Sequence, residues 1–254
     1  MSADIDTVMG GSRGYFQTTV WTLVKQAAQQ TSEAKNAALN FLIERYWKPV
    51  YCFIRAKGEQ NEKAKDLTQD FFVWWLLEKQ AHKKADPAIG RFRSFLLSSL
   101  KNFLINVHKY EHAKLRYPKE GIISIHELAQ IYDIALEPVE DETPEDRFNR
   151  IWIADQLSRV SEALKQQFCE TDKKVHYELF EKRIIKPALD GADIPPLDML
   201  AQKYNLTEKE ASNRIITARR AYQRLLREEI RLYANSEEEV AAEIRDLFDY
   251  LSRK

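Results

Sequence analysis

Lys209, Asn213, Thr217, Arg220, Arg224 and Arg227 recur at spacings that gather them on one side of a helix, with Arg214 at the margin. Cations of this kind hold phosphates, while Asn and Thr hydrogen-bond base edges. The combination suits a helix lying in the major groove of a duplex. The opposite side carries Ala211, Ile215, Ala218, Tyr222, Leu225 and Leu226, an apolar stripe suited to a core. Taken by charge alone, such a polar face is an ordinary solvated surface. The residues just before it favour the sharper reading.

A shorter helix is predicted over 196–204, with the small Ala201 where a second helix must approach closely. Asn205 follows at a position that wants left-handed backbone, which Asn tolerates better than most residues. Thr207 is placed to cap the next helix, and Glu210 completes a capping box with it. A helix, a tight turn and a strongly started second helix make a helix-turn-helix.

Two further segments carry patterned chemistry. Between residues 91 and 119 there are seven Lys or Arg and one acid, Glu111. Leu96, Leu97, Leu100, Phe103, Leu104 and Val107 form the apolar side of the predicted helix there. Phe95, Ser98, Ser99, Asn102, Asn106 and Lys109 lie opposite. Aromatic and amide groups among cations stack on and hydrogen-bond unpaired bases. Upstream, Asp66-Leu-Thr-Gln-Asp-Phe-Phe opens another two-faced helix. Leu67, Phe71, Trp74 and Trp75 are expected inside; Asp66, Gln69, Asp70 and Val73 are expected outside. Short acids and an amide around an apolar spot suit a protein contact better than a phosphate.

The elements that must position these surfaces are helical. Only 7 Gly and 8 Pro occur in 254 residues, and no apolar/polar alternation bounded by turn signals marks a strand. The fold class is therefore all-α. Helices are predicted over 18–29, 34–57, 62–79, 91–116, 147–168, 175–189, 196–204, 208–233 and 237–251. The stretch 137–146 holds six acids, no base and two prolines, a composition that favours an extended chain. Two helical domains joined by an acidic linker follow: residues 1–118, a linker over 119–146, a second domain over 147–234, and a C-terminal acidic helix over 235–254.

The 39 basic and 39 acidic side chains cancel, so net charge gives no support to nucleic-acid binding; the segregation of charge does. Cys52 and Cys169 sit alone in helical patterns and are expected as buried small hydrophobes. No apolar run is long enough for a membrane span, and a reducing cytoplasm is the expected compartment. The five histidines show no convincing metal spacing and no phosphate-cradling Gly-rich loop occurs, so neither a metal, a cofactor nor an enzyme is expected.

In order along the chain, these segments resemble the extracytoplasmic-function sigma factors. Asp66-Leu-Thr-Gln-Asp-Phe-Phe is similar to the family motif that binds the clamp helices of RNA polymerase, which implies polymerase contacts at Asp66, Gln69, Asp70 and Val73. Phe92-Arg-Ser-Phe-Leu-Leu-Ser-Ser-Leu-Lys-Asn102 is similar to the helix that opens and reads the minus-ten element. That implies contacts from Phe95, Ser98, Lys101, Asn102, Asn106 and Lys109. Residues 197–230 resemble the helix-turn-helix that reads the minus-thirty-five element, implying roles for Lys209, Asn213, Arg214, Thr217, Arg220 and Arg224. Phe16-Gln-Thr-Thr-Val-Trp-Thr-Leu-Val24, Tyr46-Trp-Lys-Pro-Val-Tyr51 and Ala85-Asp-Pro-Ala-Ile-Gly-Arg-Phe-Arg-Ser-Phe-Leu-Leu97 resemble a subgroup abundant in planctomycetes. Phe95 stands where the family usually has Trp, and Lys101 where it has Arg.

The resemblance implies a subunit that binds core RNA polymerase and directs it to promoter DNA, with an anti-sigma protein as regulatory partner. Two other functions stay open. One is a helix-turn-helix regulator that works without polymerase. The other is a helical adaptor that has lost DNA binding.

Overall fold

The computed structural model describes residues 20, 32–77, 91–110, 122–131 and 142–251. Among the described residues every regular element is helical. The first block contains α1 (Ser32–Ala56), α2 (Asn61–Leu77) and α3 (Phe92–Tyr110), followed by a short α4 (Ile125–Ile131). The second begins with α5 (Pro144–Glu170) and α6 (Lys174–Phe180). A π-helical turn (Glu181–Ile185) leads into α7 (Lys186–Asp190). Then come α8 (Leu197–Lys203), α9 (Glu208–Arg231) and α10 (Glu237–Leu251). The predicted helix over 18–29, apart from Val20, lies outside the described residues, as does the chain beyond Tyr110 in the predicted helix over 91–116.

Two prolines show how local chemistry shapes these rods. Pro187 has no N–H to donate, and its ring crowds the carbonyl one turn back, at Arg183. The chain widens to a π turn over Glu181–Ile185, just ahead of it. Pro49 sits inside α1 and cannot donate to the carbonyl of Arg45. That carbonyl accepts instead from Arg159 Nη1 of α5, at 3.2 Å.

The region between the blocks differs from a continuous extended linker over 119–146. Ile125–Ile131 is helical, and Ile125 is fully buried. Thr143 caps α5 by accepting from the backbone N–H of Asp146, so Pro144, Glu145 and Asp146 form its first turn. Acids there complement the helix dipole, and Pro suits the first helical position. Residues 132–141 lie outside the described residues.

The described helices of the two blocks share one hydrophobic core. At its centre Trp152 of α5 stacks on Tyr46 of α1, with ring centroids 4.8 Å apart and planes within 7°. Phe92 of α3 touches both Trp152 and Tyr233, while Phe148 meets Phe53 edge-on. Cys52 is buried among these helices, and burial pushes its thiol up to about 12. Cys169 is exposed, contrary to expectation, because it follows Phe168 and falls on the outer side of α5.

Ion pairs join the same elements around this core. Lys48 of α1 meets the buried Asp155 of α5 at 2.7 Å. Arg159 bonds Glu229 of α9 at 3.0 Å, and the same carboxylate also takes Arg45. Asp246 of α10 pairs with Arg91 and Arg93 of the first block. Glu243 lies deeper. Arg91 and Arg93 stand 3.4 and 4.0 Å from it, yet neither of its oxygens accepts a hydrogen bond among the described residues.

Burial raises the Glu243 carboxyl above its ordinary value despite the two guanidinium groups. A raised folded value means that its contribution to stability is complete below the ordinary carboxylate range and is lost as pH rises through the folded value. Glu243→Gln keeps the shape without the charge. It is expected to equal or exceed the parent in denaturant midpoint at neutral pH, with an advantage that fades as pH falls toward about 4. A variant weaker than the parent at neutral pH would show that the two arginines outweigh burial.

Candidate nucleic-acid interface

The sharpest site is built by α8, its turn and α9. α8 ends where the N–H groups of Tyr204 and Leu206 both point to the carbonyl of Ala201, at 3.1 and 2.9 Å. Asn205 takes φ of 52°, the left-handed conformation its type allows. Thr207 then starts α9: its hydroxyl accepts from Glu210 N–H at 3.2 Å, and its own N–H donates to the Glu210 carboxylate at 2.8 Å. These bonds hold the Glu210 carboxyl below its usual range. A cap of this kind is worth about 1 kcal/mol.

The turn is pinned from behind. Tyr204 donates to Glu178 at 2.7 Å and accepts from Lys182 at 2.8 Å, so α6 and the π turn hold α8 in place. Burial and the bond to Glu178 push the Tyr204 phenol up to about 12. Ala211, Ile215, Ala218, Tyr222, Leu226 and Ile230 are the buried side of α9; Leu225 is half-buried.

Lys209, Asn213, Thr217, Arg220 and Arg224 are exposed opposite that stripe, and Arg214 is half-buried at its edge, as the spacing predicts. Thr217 donates its hydroxyl proton to the carbonyl of Asn213 at 2.9 Å, leaving its oxygen as an acceptor. Arg224 is tethered to Glu228 at 3.1 Å and to Gln167 of α5 at 3.0 Å. Arg214 lies beside His176; burial, then Arg214 and Lys173, lower the imidazole's affinity for a proton. Ile216 is 41% exposed on the same side, an apolar group that sequence reasoning passed over.

α3 gives a thinner surface. Ser98 and Asn102 are exposed, and Asn106 donates to the carbonyl of Asn102 at 2.7 Å. Lys101 is exposed but engaged by Glu145 of α5 at 2.8 Å. Phe95 is not on the open side: it is half-buried against the core, with its ring 5.8 Å from Trp75. An aromatic beside Trp75 and Leu96 gains more from packing than from water. The side chain of Lys109 lies outside the described residues. Ile105, 73% exposed among these polar groups, was assigned to neither side of the helix in the sequence reading.

The expected outer side of α2 is corrected at two positions. Val73 and Gln69 are buried. Gln69 accepts from the backbone N–H of Ile125 at 3.0 Å, because α4 docks across this side of α2. Asp66 stays exposed and meets His126 of α4 at 3.1 Å, with Glu62 on the other ring nitrogen at 3.5 Å. Asp70 is half-buried. α2 is therefore enclosed on most of its circumference.

No family model, curated protein or solved structure matches the chain. Among the described residues no helix is long and apolar enough to cross a membrane, and no group of three or more His, Cys, Asp or Glu could hold a metal ion.

Proposed function

We propose that this chain is a sigma factor of the extracytoplasmic-function type, which binds core RNA polymerase and directs promoter-specific initiation. One observation carries the reading: the capped α9 follows a left-handed Asn turn and holds Lys209, Asn213, Thr217 and Arg220 exposed opposite a buried stripe. The ordered motifs of the first block add to it. α9 would read the upstream element, and Ser98, Asn102 and Asn106 of α3 would meet the opened strand. The exposed Asp66 and the edge of α2 would face polymerase, with an anti-sigma protein as a further partner. The helices, in this reading, are two functional regions brought together in a closed form.

The docking of α4 on α2, with Ile125 bonded to Gln69 and His126 beside Asp66, favours a second reading, a helix-turn-helix regulator that never meets polymerase. One experiment separates them: titration of core enzyme with the full chain and with Ile125→Ser, followed by transcription from a promoter library. Ile125 opens α4 and is buried where that helix docks on α2, so its replacement is expected to free the side of α2 and raise core affinity about threefold, about 0.65 kcal/mol. Promoter-specific transcripts that depend on the chain support the sigma reading. Failure of both forms to bind core enzyme, with duplex DNA still bound, establishes the regulator instead.

A further inference from the structure

A cleft of about 440 Å³ opens between the π turn, α7, α9 and α10. Its volume lies within the roughly 300–1,000 Å³ of small-molecule sites. The floor is apolar: Leu157, Phe180, Leu226 and Leu247 are all buried there. Ile184 and Ile185 of the π turn, Ala188 and Leu189 of α7, and Ile244 of α10 complete the walls.

The rim's charges are of one sign. Arg219, Gln223 and Arg227 follow one another at intervals of four along the edge of α9, and no Asp or Glu contributes to the lining among the described residues. Among the described residues neither Arg219 nor Arg227 makes a hydrogen bond or ion pair. Glu237, the acid that feels Arg227, is already bonded to Arg231 at 2.8 Å. Across the mouth, Phe248 of α10 is 55% exposed. An apolar floor, a cationic rim and an exposed ring at the entrance complement one kind of molecule: a flexible apolar chain with an anionic end.

We propose that this cleft binds a free aliphatic carboxylic acid. Its chain lies over Leu226 and Leu247, and its carboxylate lies across Arg219 and Arg227 with Gln223 between them. Arg219 and Gln223 sit between the buried stripe and the reading side of α9, so the site is separate from Asn213 and Thr217. Arg227 also lies on the polar side of α9, but neither it nor Arg219 is given a DNA contact in the proposed function, so the inference does not rest on that reading.

Calorimetric titration of the full chain with dodecanoate, kept below its micelle-forming concentration, tests it. Single-site binding is expected, with dodecanol weaker by about tenfold or more for want of the charge-assisted bonds. Arg219→Gln with Arg227→Gln should weaken dodecanoate by a similar factor while leaving dodecanol unchanged. Both residues are exposed, so this variant reads binding without disturbing the core. Ala188→Trp, a substitution at an exposed rim residue, should fill the cleft and abolish binding at an unchanged helical spectrum. Equal affinity for acid and alcohol, undiminished binding in the double arginine variant, or capture by vesicles of phosphatidylglycerol in phosphatidylcholine without binding of the soluble acid would each overturn the proposal.

Discussion

Trp152→Ala is expected to destabilise the protein by about 3–5 kcal/mol, the range for deleting a fully buried large aromatic. The side chain is 2% exposed and meets Tyr46, Phe92, Phe148 and Tyr233. Beyond the area it buries, each well-placed ring pair adds about 0.5–1.5 kcal/mol. These partners come from α1, α3, α5 and the turn just after α9, so the loss falls on both blocks at once. Urea unfolding followed by circular dichroism measures the size, and hydrogen exchange tests the coupling. Amides of α1 and of α9 should lose protection together. If α9 keeps its protection while α1 loses it, the two blocks fold on separate cores.

If α9 reads DNA as proposed, it gives the second large effect. In holoenzyme, Asn213→Ala or Arg214→Ala should relax sequence preference at one or two upstream positions, by about 1–3 kcal/mol each. Arg220→Ala should weaken all promoters alike and flatten the dependence of affinity on salt by about one unit of slope. Arg224 is already held by Glu228 and Gln167, so Arg224→Ala should change less than Arg220→Ala. Binding across a promoter library at several salt concentrations distinguishes these signatures. Unchanged selection and unchanged slope in Arg214→Ala and Arg220→Ala together would leave α9 as a solvated surface, and the adaptor reading would stand.

α8 and α9 were legible in the sequence because their determinants are local. Asn205, Thr207 and Glu210 act within a few residues, and the stripe from Ala211 to Leu226 is set by helical period alone. α10 was found over its full length for the same reason. α2 was misjudged in part because Gln69 is bonded to α4, a seven-residue helix held by contacts distant in sequence. So short a helix has little stability of its own, and a composition of mixed type gives no strong period to detect. The common core was hidden likewise: Tyr46 and Trp152 lie far apart along the chain, and no local pattern pairs them.

The neutral total charge also acquires a physical sense. Arg45, Lys48, Arg91, Arg93 and Lys101 of the first block face Glu229, Asp155, Glu243, Asp246 and Glu145 of the second. Part of the basic excess that suggested nucleic-acid binding near α3 is thus matched within the protein. Among the described residues the cations of α9 have no comparable set of acids from the other block.

Pro49 and Arg159 form a dependent pair across two helices. The proline withholds a donor from the Arg45 carbonyl, and a guanidinium supplies it while also serving Asp155 and Glu229. Lysine could not replace that planar fork, since its single ammonium cannot span the three acceptors in the same geometry. An ordinary residue at position 49 would return the donor to α1 and release Arg159 from one of its duties. Across diverging descendants of this chain, the two positions are therefore expected to drift together, with proline tolerated where arginine is kept.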